Sequence, residues 1–325
     1  MKKHIHTLGL CIALLSCETV VDVEIPQEDP RLVVNAILET DSLVRVHLSH
    51  SRSTLSSQPI ENVGGAEILL FQNGQQVASL EEERTNGNWD GWYRGDYAPQ
   101  AGNTYTLRAS RTGYETVEAD TEIDMPVGIS KLNFDTLVLE QVFYVNDSPV
   151  VNRFVELKTL SLSLSDPSEE DNYYEIAVFQ DAVNYRWNYN ENGEIFPVDT
   201  LNIRYPAYLS TEDPAVVSGD FFSGDGEYYG QTLRFSDETF NGRDYTIDFD
   251  FQGSSGYTEL QQRKYIVTLR SLNREQYLYL KSLELQGDSE GNPFAEPVPV
   301  YNNILGGYGI FAGFSQDTRT ISLDE

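Results

Sequence analysis

The stretch Leu43-Val44-Arg45-Val46-His47-Leu48-Ser49 sets Val44, Val46 and Leu48 on one face and Arg45, His47 and Ser49 on the other. Strict alternation is the period of a β-strand with one face buried and one in water. The pattern continues outward in both directions. Residues 32–38 form an apolar run broken only by Asn35, and two further runs, 66–71 and 76–80, flank Asn73-Gly74. Asn-Gly suits a type I′ hairpin because both residues tolerate positive φ. Gly91-Trp92-Tyr93, Tyr97-Ala98-Pro99 with Gly102, Tyr105-Thr106-Leu107, and Gly113-Tyr114 leading to Val117 and Ala119 extend the series. Residues 31–124 therefore read as a small Ig-like β-sandwich.

The order of strand, Pro/Gly turn, Tyr-x-Leu strand and Gly-Tyr strand also resembles prealbumin-like and carboxypeptidase-regulatory-like sandwiches. Met125-Pro126-Val127-Gly128 disfavours continuing the preceding strand and marks a junction. Beyond it, 129–325 reads as a larger β-rich domain. Its segment 160–164 alternates cleanly, and the acidic turn from Asp166-Pro167 to Asp171 leads into 173–179, so these two are expected as adjacent antiparallel strands. More strands are expected at 232–235, at 244–251 after Asn241-Gly242, and at 264–269.

One helix interrupts the strands. Asn273 and Gln276 have capping-box spacing, and Leu272 and Tyr277 stand at the staple positions. The helix is expected over 274–286, stopping at Gly287. Tyr277, Tyr279, Leu280 and Leu283 fall on one arc with Leu278 and Leu285 opposite, which predicts a mostly buried helix packed on the second sandwich. The fold class is thus mainly β: an Ig-like or prealbumin-like sandwich, then a larger β-sandwich carrying one buried α-helix.

The N-terminus reads as an export signal. Lys2 and Lys3 precede an apolar run over 5–15 and then Leu14-Leu15-Ser16-Cys17. The run is shorter than the ~20 residues needed to span a bilayer. The tetrapeptide resembles the lipobox of bacterial lipoproteins, which predicts cleavage after Ser16, lipidation of Cys17, and a membrane anchor through the lipid. The other reading is an ordinary signal peptide with an incidental cysteine. Residues 1–16 are then the signal and 17–30, acidic with Pro26 and Pro30, an extended tether. Cys11 falls within the removed segment, so the mature chain has no partner thiol for Cys17 and no internal disulfide. With 51 acidic against 22 basic residues and a net charge of -29, the chain repels nucleic acid and anionic headgroups.

Candidate sites are few. His47 and His50, three apart in a strand, lie on opposite faces and cannot together grip a metal; His47 is expected to face solvent. Asn188, Asn190, Asn192, Gly193 and Asp199 follow the spacing of an EF-hand-like loop, but Asn stands for the leading Asp and Asp for the bidentate Glu. A polar hairpin around Asn192-Gly193 explains the same residues. Asp220, Asp225 and Glu227 offer a second set of oxygen ligands, equally readable as an acidic loop. Tyr185, Trp187 and Tyr189 align on one face of an extended segment, either as packing or as a binding platform. Trp89 and Trp92, in a Gly/Asn/Asp-rich loop, raise the same choice. Gly307-Tyr308-Gly309 lacks the helix of a phosphate loop, and its glycines mark a bulge or close backbone approach. No cofactor is called for.

The C-terminal stretch carries the most specific pattern: 277–283, Asn292-Pro293-Phe294-Ala295-Glu296-Pro297-Val298, and Tyr301-Asn302-Asn303-Ile304-Leu305-Gly306-Gly307-Tyr308-Gly309-Ile310-Phe311-Ala312-Gly313. With Val21-Asp22-Val23-Glu24-Ile25-Pro26, Asp166-Pro167 ahead of Asn172-Tyr173-Tyr174, and Phe240-Asn241-Gly242, it resembles the Bacteroidota lipoprotein family catalogued as domain of unknown function 4249. The resemblance implies a lipoprotein, frequently encoded beside TonB-dependent outer-membrane transporters, and carries no catalytic residue. Glu18, Asp22 and Glu24 behind Cys17 resemble acidic surface-export signals. Asp41-Ser42-Leu43, Asp135-Thr136-Leu137 and Asp199-Thr200-Leu201 resemble Bacteroidota O-glycosylation motifs. The expected function is a non-enzymatic, lipid-anchored outer-membrane lipoprotein, facing the cell surface or else the periplasm, that acts as a binding or accessory component of a TonB-dependent nutrient uptake system and touches a glycan, a peptide or the transporter. The alternative is a calcium-dependent or carboxylate-based glycan hydrolase.

Overall fold

The computed structural model describes residues 29–323 apart from 54, 55, 57, 146–147, 169, 190–194, 218–226, 253–262 and 290–297. The expected signal, Cys17 and nearly all of the 17–30 tether lie outside the described residues. Seven strands come first: β1 (Leu32–Glu39), β2 (Arg45–His50), β3 (Glu67–Gln72), β4 (Gln75–Thr85), β5 (Asn88–Arg94), β6 (Asn103–Ser110) and β7 (Val117–Ile123). The first half of β4 pairs β3 and the second half pairs β5, so this strand turns the corner between two layers. Val46 and Leu48 are fully buried in the core between them, worth about 1.5–3 kcal/mol apiece. Asn73 and Gly74 have φ of 49° and 80°, the signs a type I′ turn requires. Asn86 and Gly87, at 52° and 81°, close the next hairpin the same way. Ser49, expected in solvent, is 4% exposed because Asn62 bridges to its backbone and covers it.

The second unit holds β8 (Ile129–Val145), β9 (Ser148–Ser165), β10 (Tyr173–Tyr189), β11 (Ile195–Pro206), β12 (Tyr208–Thr211), the short helix α1 (Pro214–Val217), β13 (Tyr228–Gly230), β14 (Thr232–Ser236), β15 (Asp244–Gln252), β16 (Arg263–Leu272), helix α2 (Arg274–Ser289) and β17 (Tyr308–Leu323). One layer is a five-stranded sheet in the order β13-β12-β15-β9-β8. The other belongs to a twelve-stranded sheet, β11-β10-β16-β17-β1-β2-β5-β4-β3-β6-β7, with β14 also on β10. The protein is mainly β, as its alternation predicts.

Two expectations about this unit change. Segments 160–164 and 173–179 are not neighbours: β9 pairs β8 and β15, whereas β10 pairs β11, β14 and β16. They face one another across the second core, where Leu160, Leu162 and Leu164 meet Tyr174, Ile176 and Val178. The turn between them crosses layers because buried Asp166 anchors it, accepting from the Tyr174 hydroxyl at 2.5 Å and from the Gly242 N–H at 2.7 Å. The unit beginning at 129 also donates its last strand to the first sandwich. The first half of β17 runs parallel to β1, from Val33↔Tyr308 to Glu39↔Phe314, and its second half is antiparallel to β16. Ile304 and Phe311 thereby join the first core.

Helix α2 starts as its cap predicts, with the Gln276 N–H donating to Asn273 Oδ1 at 3.0 Å. The Asn273 amide also donates to Thr121 Oγ1 and to the Glu122 carbonyl, locking the helix start to β7. The helix does not stop at Gly287 but runs to Ser289, since nothing approaches Gly287 and it stays helical. Nor is it buried along its length. Gln276 and Tyr277 are buried, with Tyr277 stacked 4.2 Å from Tyr173, while Leu283 and Leu285 are exposed. No helix among the described residues is long and apolar enough to cross a membrane.

Candidate functional site

The tryptophans of the first unit sit on strand β5, not in a loop. Trp89 packs against the first core, edge-on to Tyr93 at 5.8 Å, and its Nε1 donates to the Trp92 carbonyl at 2.9 Å. Its ring is used in packing. Trp92 lies on the outer face, where the Arg45 guanidinium covers it 4.5 Å from the ring centroid and His47 meets it edge-on at 5.2 Å. Arg45 is held in turn by Glu83 at 2.7 Å. His47 is therefore half-buried against Trp92 rather than freely solvated.

Tyr185, Trp187 and Tyr189 are on β10, extended as expected, in the part that pairs with β11; their side chains lie outside the described residues. Asn188 and Asp199 belong to the same ladder, opposite Phe196 and Arg186, so these two end residues of the EF-hand-like spacing stand in a β-hairpin. Asn190, Asn192, Asp220 and Asp225 lie outside the described residues, and Glu227 is exposed. Among the described residues no three His, Cys, Asp or Glu gather to hold a metal ion.

Several carboxylates are buried for architecture. Glu175 receives Arg234 at 2.6 Å and Arg270 at 2.5 Å, and Arg234 also reaches Glu284 of α2 at 3.5 Å. Breaking such a buried pair by removing one partner costs about 3–5 kcal/mol. Asp124, at the end of β7, is pushed up to about 6 by burial, then by Glu122, Glu170 and Glu275. Burial likewise raises the hydroxyls of Tyr174 and Tyr245, each also bound to a carboxylate, Asp166 and Asp213 respectively. These groups pin corners and junctions.

Among the described residues, two surfaces stand out as candidates for contact. The first is the outer face of the five-stranded sheet. Tyr208 on β12 and Tyr229 on β13 are 43% and 57% exposed and stack at 5.2 Å with an interplanar angle of 8°. The Tyr229 hydroxyl donates to Gln252 Oε1 at 2.8 Å, which fixes the pair. Beside them runs a row of short polar side chains joined across β9 and β15: Thr159 to Asp250 at 2.8 Å, Ser161 to Asp248, Ser163 with Thr246 at 2.7 Å, and Ser165 to Asp244 at 2.5 Å. Sequence reading missed Tyr208 and Tyr229, because neither lies in a run long enough to show its face and only the register Ser210↔Tyr229 brings the two together.

The second surface is the far part of the β8–β9 hairpin. Strand β15 pairs β9 only from Thr159 to Ser165. From Thr136↔Leu157 to Val145↔Ser148 the two strands pair with each other. Val138↔Val155 and Val142↔Val151 are directly opposed pairs, and these four valines are 63%, 36%, 53% and 51% exposed. Residues 136–157 carry three acidic residues, Glu140, Asp147 and Glu156, and one basic residue, Arg153. The arm thus presents an apolar surface on one face.

A family model described as Domain of unknown function (DUF4249) matches residues 18–320. No curated protein matches. The crystal structure of collagen adhesin (CNA) from S. aureus is similar at 7% identity with a TM-score of 0.18, over 91% of this chain and 94% of that one. A likeness of that score carries no weight for fold or function.

Proposed function

We propose, from the premise that the chain belongs to the family described as Domain of unknown function (DUF4249), that it is a non-enzymatic binding lipoprotein of the outer membrane. In this reading Cys17 carries the lipid, the acidic tether holds the folded part off the bilayer, and the partner is a TonB-dependent nutrient transporter. A lipid anchor supplies attachment but no pore, so transport must come from another chain.

The observation that carries the reading is the valine arm. Exposed β-branched pairs in directly opposed register are stable only at a cost in water, and burying each adds about 1 kcal/mol or more to an association. A folded outer-membrane partner offers apolar and backbone surface of the kind such an arm accepts.

The test places a photo-crosslinking amino acid at Val142 and, as a control, at exposed Thr246 on the sheet's outer face. Illumination in intact cells should join position 142, and not 246, to a TonB-dependent transporter identified by mass spectrometry. Equal labelling at both positions, or no transporter adduct at 142, refutes the arm as its contact. Replacing all four valines by threonine keeps shape and strand preference, and should abolish the adduct without lowering the melting temperature by more than a few degrees.

A further inference from the structure

We propose that Tyr208 and Tyr229, with the polar row beside them, form a binding site for a neutral oligosaccharide. The site is separate from the valine arm and does not depend on the transporter reading. Two rings stacked on each other at 5.2 Å use one face apiece, and exposures of 43% and 57% leave much of both rings open. Stabilising a sheet edge accounts for the mutual contact. It does not account for so much open aromatic surface beside a row without a single large apolar side chain.

The chemistry of the surroundings selects the ligand. Next to the rings, Ser210 and Asp250 face Thr159 and Asp135 across the strands, followed by Asp248, Ser161 and Asn133. All are short, so the surface beside the rings is a low shelf rather than a groove, and it suits flat rings rather than a protruding apolar side chain. A pyranose has that shape: an apolar C–H face for the tyrosines and a rim of hydroxyls for carboxylate and hydroxyl partners. From β12 to β8 the shelf spans three strand spacings, about 14 Å, room for several sugar units. Asp135, Asp244, Asp248 and Asp250 against Lys131 make the face acidic, which repels uronic or sulfated chains and leaves neutral ones. The bond from Tyr229 to Gln252 holds the rings in place before any ligand arrives, so little freedom is lost on binding.

The full chain, in a detergent without a sugar headgroup, is titrated calorimetrically with cellohexaose, maltohexaose, xylohexaose and mannohexaose at millimolar concentration, and with polygalacturonate and spermine as charged controls. At least one neutral hexasaccharide should bind. Y208A/Y229A should weaken it at least about tenfold, while Y208F, which keeps both rings and the Tyr229–Gln252 bond, retains most of the affinity. Since the rings also brace β13, a second variant keeps both and blocks the shelf: T159R should abolish binding with melting unchanged. Heat from none of the four hexasaccharides, or binding indifferent to both Y208A/Y229A and T159R, overturns the site. Binding of spermine alone makes the face a cation surface and overturns it as well.

Discussion

Replacing Gly309 by alanine tests the join between the two units. Gly309 has φ of 113°, and a Cβ built there lies 1.9 Å from the Val34 carbonyl oxygen and 2.8 Å from its carbon. The conformation alone costs a non-glycine residue about 1–3 kcal/mol. The contact adds more, because a carbon needs about 3.5 Å, so β17 must retreat from β1 by roughly 1.5 Å. Such a shift takes the neighbouring ladder bonds beyond hydrogen-bonding range, at about 1 kcal/mol each for two or more of them. The expected loss is about 4 kcal/mol, a large share of the ~5–15 kcal/mol of a typical domain. Urea unfolding followed by circular dichroism and tryptophan fluorescence measures it. Gly74→Ala is the control, with φ of 80° but nothing within 4 Å of its Cβ, so it should lose only the conformational part. If Gly309→Ala proves no more destabilising than Gly74→Ala, the close approach of β1 and β17 is not what requires glycine there.

Three further outcomes follow from single residues. Gly287→Ala, in an exposed helical turn with open space around it, should stabilise the chain by about 0.5–1 kcal/mol in urea melts. Asn273→Ala removes the cap and both bonds to β7, so it should cost about 2 kcal/mol or more and open the helix start to amide exchange. Asp124 is raised from 3.8 to about 6 in the folded chain. The unfolded state then binds fewer protons between those values, and stability falls as pH rises through that window. Asp124→Asn should flatten that fall and gain about 1–2 kcal/mol at pH 7.5 after allowing for solvent screening, as compared by melts at pH 4.5 and 7.5.

How much of this was legible in the chain depends on the range of the interaction. Leu43 to Ser49 declares its buried face because alternation is local, and Asn73-Gly74 declares its turn because the backbone signs belong to those two residues. Asn273 and Gln276 likewise fix the helix start within one turn. What stayed hidden was pairing. Segments 160–164 and 173–179 look alike whether they are neighbours or face each other, and the buried carboxylate of Asp166 that decides the matter meets Gly242 from far along the chain. The glycines of 306–313 announced a close approach without naming its partner, which lies near the opposite end of the sequence at Val34. The candidate site was hidden for the same reason: Trp89 and Trp92 resembled a platform until Tyr93 and Arg45 were found against them, whereas Tyr208 and Tyr229 meet only through register.

Strand β9 explains why both candidate surfaces arise from one stretch. On its inner side Leu160, Leu162 and Leu164 are buried at even positions, but Leu157 is buried too. The register shift between Asp135 and Thr136 supplies the missing step, because Asp135 pairs Thr159 while Thr136 pairs Leu157, leaving Lys158 as the extra residue. Past that bulge the inner side passes to odd positions, and Val155 and Val151 continue it beyond the end of the core. The opposite side, before the bulge, presents Thr159, Ser161 and Ser163 to the shelf. Thr159 and Val155 are four residues apart, about 13 Å along a strand. A sugar chain seated on Tyr208 and Tyr229 and running across the shelf to β9 thus ends several sugar lengths from the surface assigned to the transporter, which lies on the opposite side of β8 and β9. Deleting Lys158 should remove the bulge without turning either face, since Thr159 and Leu157 then alternate directly opposite Asp135 and Thr136, so the crosslink at 142 and the sugar titration should both survive, whereas four valine-to-threonine changes should impair the crosslink alone; loss of both on deleting Lys158 would refute this account of the two faces.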